Sequence, residues 1–519
     1  MSYQAIVIGA GLGGLSVALA LQQKGVRTLL LEKHNLPGGC ATSFKRGRFE
    51  FEGSLHEFCA FGEPGNYGYA GKLINETYGL GIPVAISPDL FRAILISRDG
   101  TPFDVTLPRG EEAFIQALNQ AVPGSEKGLR EFISLCKEAY EVSAYFDEHM
   151  FEKQKKNGDV KIDALHFAKH YLRYLQVAEV PFNDVLRKIG VSENAIDIIG
   201  CYRVYLGADP TVVSFAHLAA MIYSYIHFGP ALVLPNSHGF ASAFVEEFKR
   251  LGGTAYFGVE AKEVVADENG HIQGVQTDHG FFAAEEVIAN VYPEVAYRDL
   301  LSKNIILPAR EKKRIGLTKT AIRFVNVFLG LNRSVEDLGI HDYTLFFPGD
   351  LSKERKQETP LDYGDAAATA YNVLNPDISP KGTAIVTLTL EYQDDVWGSV
   401  DPADYFKTKE AVAKKAIADY ERTTGISIAP YIEEIEIATP WTYARYLGSP
   451  EGTPYGYRFD QTNTILTQLL SIRRDQPVPG FYTVGASGPR GDGYSQTTGN
   501  GRDIAELVYE HLQGGKRHG

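Results

Sequence analysis

A glycine-rich motif near the start of the chain carries the clearest chemical pattern in the sequence. Gly9, Gly11 and Gly14 form a G-x-G-x-x-G motif that also contains Leu12 and Gly13. In such a motif the first glycine makes a tight turn, the second lets the backbone approach a pyrophosphate, and the third allows a helix and a strand to pack closely. The motif therefore predicts a site for the phosphates of a dinucleotide.

An acidic residue extends this pattern. Glu32 follows Gly14 by eighteen residues, where a carboxylate can accept hydrogen bonds from ribose hydroxyls. The same negative charge disfavours a 2′-phosphate and hence NADP. Lys33 and Val259 are further expected contacts of the cofactor. The glycine motif and Glu32 alone do not distinguish NAD from FAD.

A strand, a tight turn and a helix are needed to position these residues. The apolar pattern predicts a strand over Ala5–Ile8, a helix over Gly13–Gln23 and a second strand over Thr28–Glu32. The N terminus of that helix would direct unpaired N–H groups at bound phosphates. The beginning of the chain is therefore predicted to form a βαβ unit.

Later segments show both helical and strand periodicity. Helices are predicted over Glu111–Ala121, Leu129–Glu148, Asp404–Thr423 and about Arg502–Leu512. A β-meander is predicted between residues 253 and 288, with strands over Ala255–Phe257, Lys262–Ala266 and Ile272–Thr277.

Composition and charge exclude several classes of protein. The 519 residues carry a formal charge of −13, and no Lys/Arg run stands out, so nucleic acid is not an expected partner. The four cysteines form no C-x-x-C pair, which argues against a zinc site and a disulfide framework and favours a reducing, cytoplasmic location. The apolar stretch Thr211–Pro235 contains His217 and His227, which argues against a membrane-spanning helix.

Several further segments occur in the order that is found in one family of flavoenzymes. They include the doublet Gly38-Gly39 with Cys40, Ala41 and Thr42, then Gly47–Gly53, Leu234–Phe240, Val287–Asn290, Ala438–Thr442, Gly452–Gly456 and Gly480–Gly493. Together they resemble the FAD enzymes of the phytoene desaturase, carotenoid isomerase and retinol saturase group. The chain departs from the family pattern at Glu52, where Asp is usual, at His238, which replaces a glycine, and at Ala486, which replaces an aspartate.

The resemblance implies an α/β protein that holds FAD without a covalent bond. A Rossmann-type FAD-binding domain of the amine oxidase and phytoene desaturase type, formed by residues 1–85, 230–300 and 436–519, would be interleaved with a substrate-binding cap formed by residues 86–229 and 301–435. The expected FAD contacts are Gly9, Gly11, Leu12, Gly13, Gly14, Glu32, Lys33, Gly38, Gly39, Cys40, Ala41, Thr42, Val259, Gly485, Ala486, Gly493, Tyr494 and Ser495.

Candidate catalytic residues are His56, Glu57 and Tyr494. The resemblance to the saturases, which have a histidine at the position of His56, places His56 and Glu57 near the flavin. The alternative is a histidine that only forms hydrogen bonds within the fold. Tyr494 could donate a proton, although a buried tyrosine more often satisfies a structural hydrogen bond. Arg203 and His238 are ambiguous in the same way.

The group's chemistry implies desaturation, saturation or isomerisation of a long apolar substrate such as a carotenoid, a retinoid or another lipid. Such a substrate implies peripheral membrane contact, but no basic amphipathic helix marks its place in the sequence. No second strand–G-x-G-x-x-G–helix unit is present, so the electron donor or acceptor is not identified. The aromatic stretch Tyr223, Tyr225, His227 and Phe228 could line a tunnel or belong to the core.

Two other functions share this fold. A flavin amine oxidase would favour an aromatic cage beside the flavin, and it would be recognised by turnover of amines. A prenyl-group carrier similar to the GDP dissociation inhibitors would lack redox chemistry. The intact Gly14, Glu32 and C-terminal glycine motif argue against that carrier.

Overall fold

The strands of the protein were assigned in a computed structural model, which describes residues 2–54, 56–152, 169–207, 209, 211–459 and 476–515. In chain order they are β1 Tyr3–Ile8, β2 Thr28–Glu32, β3 Ser43–Arg46, β4 Phe49–Glu52, β5 Gly62–Glu63, β6 Asn66–Tyr67, β7 Val84–Ile86, β8 Asp89–Ile96, β9 Pro102–Pro108, β10 Ala231–Val233, β11 Thr254–Phe257, β12 Ala261–Ala266, β13 Ile272–Thr277, β14 Gly280–Ala289, β15 Arg323–Leu331, β16 Thr344–Asp350, β17 Ala366–Ala370, β18 Ala384–Tyr392, β19 Ile432–Ala438 and β20 Phe481–Thr483.

Helices connect and cover these strands. The α-helices of seven or more residues are Leu12–Gln23, Glu111–Ala121, Glu126–Glu152, Phe182–Lys188, Glu193–Ile199, Phe215–Phe228, Asn236–Arg250, Ala309–Leu317, Tyr405–Thr424, Pro440–Leu447 and Tyr494–Gly515. Shorter α-helical turns are Tyr69–Gly71, Leu172–Leu175, Pro293–Val295 and Val335–Leu338. None of the described helices combines the length and the hydropathy that a bilayer-spanning helix requires.

The first sheet has the order β11-β2-β1-β14-β13-β12, and β20 also pairs with β14. The pairs β11–β2, β2–β1, β1–β14 and β14–β20 are parallel. The pairs β12–β13 and β13–β14 are antiparallel. The predicted βαβ unit is confirmed. The predicted meander is wrong at Ala255–Phe257, because β11 pairs in parallel with β2 at the sheet edge.

Alternating side chains of β1 explain why both faces of this sheet are covered. Ala5 and Val7 pack into a core shared with the helices Leu12–Gln23, Asn236–Arg250 and Tyr494–Gly515. Ile6 and Ile8 point to the opposite core, which contains residues of β12, β13 and β14. This two-residue period is the direct result of strand geometry. The carboxyl end of β1 therefore meets the helix Leu12–Gln23 at the glycine motif.

The second sheet has the order β19-β15-β18-β17-β16-β8-β9 and is antiparallel except between β16 and β8. On β15, Val325 and Val327 pack against the helix Tyr405–Thr424. Phe324 packs on the opposite face with the helical segments between residues 111 and 228. The second sheet therefore presents one face toward those helical segments.

The strands of the first sheet fall within residues 1–85, 230–300 and 436–519. Those of the second sheet fall within residues 86–229 and 301–435, except that β19 extends to Ala438. We propose that these two sets of residues are the FAD-binding and cap units. Residues 153–168 of the cap and the polar tail 516–519 lie outside the described part of the chain.

Candidate functional site

A cavity of about 800 Å³ has walls from both sheets. Its volume lies within the range of small-molecule and cofactor sites. One end is lined by residues of the glycine motif and by the end of β2, and the other by side chains from β15, β17 and β18. A ligand that fills the cavity would therefore touch both the parallel sheet and the cap.

The nucleotide end of the cavity is lined by Gly9, Gly11, Glu32, Lys33 and Val259, and by Leu12. The Glu32 carboxylate accepts hydrogen bonds from the backbone N–H of Ala10 at 2.6 Å and of His34 at 2.8 Å. These bonds fix the carboxylate at the end of β2, and each oxygen keeps a lone pair for another donor. Glu32 is thus positioned to receive ribose hydroxyls.

Asn290, directly after β14, leaves no room for a side chain at Gly9 with its backbone and crowds Gly11 with its side-chain amide. A Cβ on Gly11 would lie 2.6 Å from Asn290 Nδ2, and one on Gly9 would lie 2.8 Å from Asn290 O. A Cβ on Gly14 would lie 2.0 Å from the carbonyl oxygen of Gly9. The predicted close packing at Gly14 therefore agrees with the geometry, and Gly11 is additionally constrained by Asn290.

The glycine doublet forms the next part of the cavity wall. Gly38, Gly39, Cys40 and Ala41 line the cavity, whereas Thr42 does not. Gly38 forms an isolated parallel bridge with Gly11, which joins the doublet to the dinucleotide motif. Burial raises the pKa of the Cys40 thiol to about 12. The thiol is therefore neutral at physiological pH and is not a nucleophile.

The C-terminal motif supplies Gly485, Ala486, Gly493, Tyr494 and Ser495 to the same wall. The last helix begins at Tyr494, so the predicted start near Arg502 is wrong by eight residues. The preceding loop ends in glycines, and polar residues form the first turn of the helix. Because this turn has no apolar periodicity, the sequence pattern did not reveal the helix start. The correction places the positive end of the helix dipole at the cavity.

Hydroxyl groups tie this helix start to neighbouring residues of the cavity wall. The Tyr494 hydroxyl lies 2.5 Å from Ser54 Oγ, and Ser54 donates to the carbonyl of Cys40 at 2.9 Å. Ser495 Oγ donates to the carbonyl of Cys59 at 2.6 Å. The Tyr494 side chain thus already has the structural hydrogen bond that the sequence offered as the alternative to a catalytic role.

His56 lines the cavity between the doublet and the cap strands. Its Nδ1 lies 3.1 Å from the Tyr371 hydroxyl, and its Nε2 lies 3.3 Å from Thr389 Oγ1. The Tyr343 hydroxyl donates to the backbone carbonyl of His56. Desolvation lowers the pKa of the imidazole to about 4, so the ring is neutral at physiological pH.

Glu57 lines the cavity beside His56 and is 7% exposed. Within the described chain, neither carboxyl oxygen has a hydrogen bond of ordinary geometry. Burial raises the pKa of Glu57 to about 8, and the Tyr205 hydroxyl opposes this shift. The side chain is therefore a neutral carboxylic acid below that pH, with a proton that it can donate.

A paired charge cluster occupies another part of the cavity wall. Arg490 donates to the carboxylates of Asp147 and Asp503. The guanidinium carbons of Arg490 and Arg502 lie 5.5 and 5.6 Å from the centre of the Tyr69 ring. These contacts link the C-terminal motif to the helix Glu126–Glu152.

Among the remaining sequence candidates, some line the cavity and others do not. Tyr225 lines the cavity, whereas Tyr223, His227 and Phe228 do not. Arg203 pairs with Asp365 away from the cavity wall. His238, Gly13 and Gly14 also lie outside that wall.

The departure at Glu52 has a structural explanation. Glu52 is 1% exposed and accepts hydrogen bonds from the backbone N–H and hydroxyl of Ser237. The longer side chain thereby joins β4 to the Leu234–Phe240 segment. Asp492, which was not predicted as a site residue, lines the cavity six residues after Ala486 and accepts from the Gly456 N–H at 3.4 Å. Its position within the C-terminal motif is the sequence feature that could have identified it as a site residue.

The described residues fit an extended dinucleotide cofactor. Along one cavity wall lie the Glu32 carboxylate, a glycine turn at a helix N terminus, the doublet and a second helix N terminus. The glycine positions bring backbone rather than side chains to the cavity surface. This order agrees with FAD bound from Glu32 to the region of Tyr494.

Comparisons with known proteins support this fit. Residues 7–76 match the family described as NAD(P)-binding Rossmann-like domain. Prolycopene isomerase of Daucus carota is 24% identical over 92% of this chain and 77% of its own length. All-trans-retinol 13,14-reductase of Homo sapiens is 23% identical over 92% of this chain and 81% of its own length.

Solved structures show the same fold at low sequence identity. Putrescine oxidase bound to putrescine has a TM-score of 0.62 at 15% identity and covers 99% of each chain. Cyclohexylamine oxidase from Brevibacterium oxydans has a TM-score of 0.59 at 15% identity and covers 99% of this chain and 100% of its own. The predicted α/β fold with a Rossmann-type unit is thereby confirmed.

The fold, the cavity and the relatives define the class of protein. The chain is an FAD-dependent oxidoreductase that resembles the carotenoid isomerase and retinol saturase group along most of its length.

Proposed function

We propose that the chain acts on a C=C or CH–CH bond of a hydrophobic substrate, by desaturation, saturation or isomerisation. FAD bound in the cavity supplies hydride exchange, while the protein supplies orientation and a dry environment. The relatives support this proposal because their names specify prolycopene and all-trans-retinol. A carotenoid, a retinoid or another isoprenoid lipid is the proposed substrate class.

The observation that carries the proposal is that, among the described residues, no charged side chain lies in the part of the cavity wall formed by β15, β17, β18 and the helix Phe215–Phe228. The lining residues there are Phe324, Asn326, Ala367, Thr369, Thr389, His217, Ala220, Met221, Ser224 and Tyr225. Desolvation lowers the pKa of His217 to about 3, so this histidine is neutral. His56 and Glu57 beside it are also neutral at pH 7. A long uncharged molecule suits such a lining better than a charged one.

The three candidate residues receive different proposed roles. Glu57 holds a proton next to the cavity and is the proposed proton donor to a substrate carbon. Neutral His56 has both ring nitrogens in hydrogen-bonding contact, so we propose that it orients the substrate rather than carrying charge. Tyr494 is proposed as a positioning residue that holds the Ser54–Cys40 backbone against the cofactor.

Electrons must be exchanged with a separate molecule when the reaction is not redox-neutral. The sequence has no second dinucleotide-binding unit of the G-x-G-x-x-G type. We therefore propose an external electron donor or acceptor. An apolar substrate of this class dissolves in membranes, which makes peripheral contact with a membrane part of the proposal.

Product analysis tests the proposed function. Purified holoenzyme, oxidised or pre-reduced with dithionite, would be incubated without oxygen with carotenoids, retinoids, unsaturated fatty acids and amines. We expect altered double bonds in at least one apolar polyene. Turnover of amines alone would instead support an amine oxidase, and a preparation without flavin would support a prenyl-group carrier.

A further inference from the structure

A basic surface segment stands out on an otherwise acidic protein. Residues 303–319 contain six cationic side chains and a single acidic one, whereas the whole chain carries −13. The cationic residues are Lys303, Arg310, Lys312, Lys313, Arg314 and Lys319. Glu311 is the acidic residue and pairs with Arg314. The segment is therefore a local positive patch.

Apolar side chains flank these charges in the same segment. Ile306 is 85% exposed and Leu317 is 70% exposed. The helix Ala309–Leu317 between them contains no buried residue. Together with Phe406 they are the most exposed large apolar side chains among the described residues, and here they lie within a run of cationic residues. The segment was not predicted from the sequence because Glu311 and apolar residues separate its cations, so that no Lys/Arg run longer than three residues marks it.

Both ends of the segment adjoin the wall of the cavity. Leu300, three residues before Lys303, lines the cavity. At the other end Thr320 forms a bridge with Tyr457, and the Ala321 N–H donates to the carbonyl of Gly456 at 3.1 Å. Tyr455 and Phe459, on either side of this contact, line the cavity. Residues 303–319 therefore form a surface segment whose two ends adjoin the cavity wall.

We propose that residues 303–319, here called the basic segment, dock the protein on an anionic lipid surface. The lysines and arginines would face lipid headgroups, while Ile306 and Leu317 insert into the boundary with the acyl chains. A nucleic acid would leave these two apolar side chains exposed and would be repelled by the rest of the chain. This inference rests on the proposed function, because docking is useful if the substrate is an apolar molecule dissolved in the membrane. Docking would bring the cavity wall close to that molecule.

Vesicle sedimentation tests this surface directly. Holoenzyme would be mixed with vesicles of phosphatidylcholine, alone or with one quarter phosphatidylglycerol, at low and high salt. We expect binding to the anionic vesicles that weakens as salt rises. The Lys312→Glu/Lys313→Glu variant and the Ile306→Ser/Leu317→Ser variant should each reduce partitioning by about tenfold or more.

Matched variants on another part of the surface serve as controls. Lys353 and Lys356 have side chains that are 76% and 69% exposed, and Phe406 is 72% exposed. Lys353→Glu/Lys356→Glu and Phe406→Ser should bind vesicles as the wild type does. Equal loss in the control variants, absence of vesicle binding, or equally tight binding to heparin would overturn the proposal. Vesicle binding requires no turnover, so failure of the proposed function would be recognised separately in the product analysis.

Discussion

The two ends of the cavity are built in different ways. At the nucleotide end, backbone groups of a short stretch of chain form the surface, and Glu32 is the main side chain that must be placed. At the cap end, side chains from distant segments meet, since His56 contacts residues 315 and 333 positions further along the chain. The first end recognises a common cofactor, and the second determines which molecule reacts with it. Substitutions should therefore affect cofactor binding and turnover separately.

The largest effect is expected at Gly14, where a Cβ would lie 2.0 Å from the Gly9 carbonyl oxygen. Gly14→Ala should push the helix Leu12–Gln23 away from the backbone at Gly9 and reduce FAD affinity at least about hundredfold, or prevent folding. Flavin released by acid from the purified protein would be measured, and the wild type should yield FAD. Gly514→Ala is the control, because nothing lies within 4 Å of its Cβ position. Full FAD content in Gly14→Ala would refute this account of the motif.

At the cap end, His56→Ala should lower turnover by about 10² while FAD stays bound. The variant removes the group that we propose to orient the substrate, but it leaves the dinucleotide end intact. Turnover and flavin content would be measured on the same preparation, with His271→Ala, an exposed histidine, as the control. Turnover near that of the wild type would reduce His56 to a structural role.

Glu32→Ala should weaken FAD binding by about 1.5–3 kcal/mol for each lost hydrogen bond to the carboxylate. The Ala10 and His34 N–H groups would also lose their acceptor. Glu32→Gln keeps acceptor oxygen and shape, so it should show a smaller loss. The FAD dissociation constants of both variants and of the wild type would be measured by titration. Equal constants for all three proteins would contradict the account.

The smallest effect is expected in the pH dependence of stability at Glu57. Its pKa in the folded protein is about 8, above its ordinary value of 4.5, so the folded state holds a proton that the unfolded state releases in this window. The free energy of unfolding therefore falls as pH rises from about 4.5 to 8. Glu57→Gln has no group that titrates here, so its free energy of unfolding should not fall in this way. Relative to the free energy of unfolding of the wild type, that of the variant should rise by about 1–3 kcal/mol between pH 5 and pH 9. Denaturant unfolding of both proteins at pH 5 and pH 9 measures this difference in the free energy of unfolding. A difference that stays constant between the two pH values would contradict the raised pKa.

The dinucleotide end could be predicted from sequence because its signal is local. The strand Thr28–Glu32 was predicted with its observed bounds, and the first strand and helix were predicted to within two residues. The role of Asn290 was not predicted, because its contact with Gly11 depends on the pairing of β14 with β1. At the cap end, the neutrality of Glu57 depends on burial by residues that are distant in sequence. Such burial leaves no local pattern in the sequence.

The central claim is that FAD at one end of the cavity meets an uncharged unsaturated chain at the other. The most direct measurement is anaerobic titration of the holoenzyme with a retinoid and with a primary amine of similar length, followed by the visible absorbance of the flavin. The account predicts a saturable spectral change with the retinoid, either reduction or a shift of the oxidised bands, that is altered in His56→Ala. A response to the amine alone, or no response of the bound flavin to any apolar polyene, would contradict it.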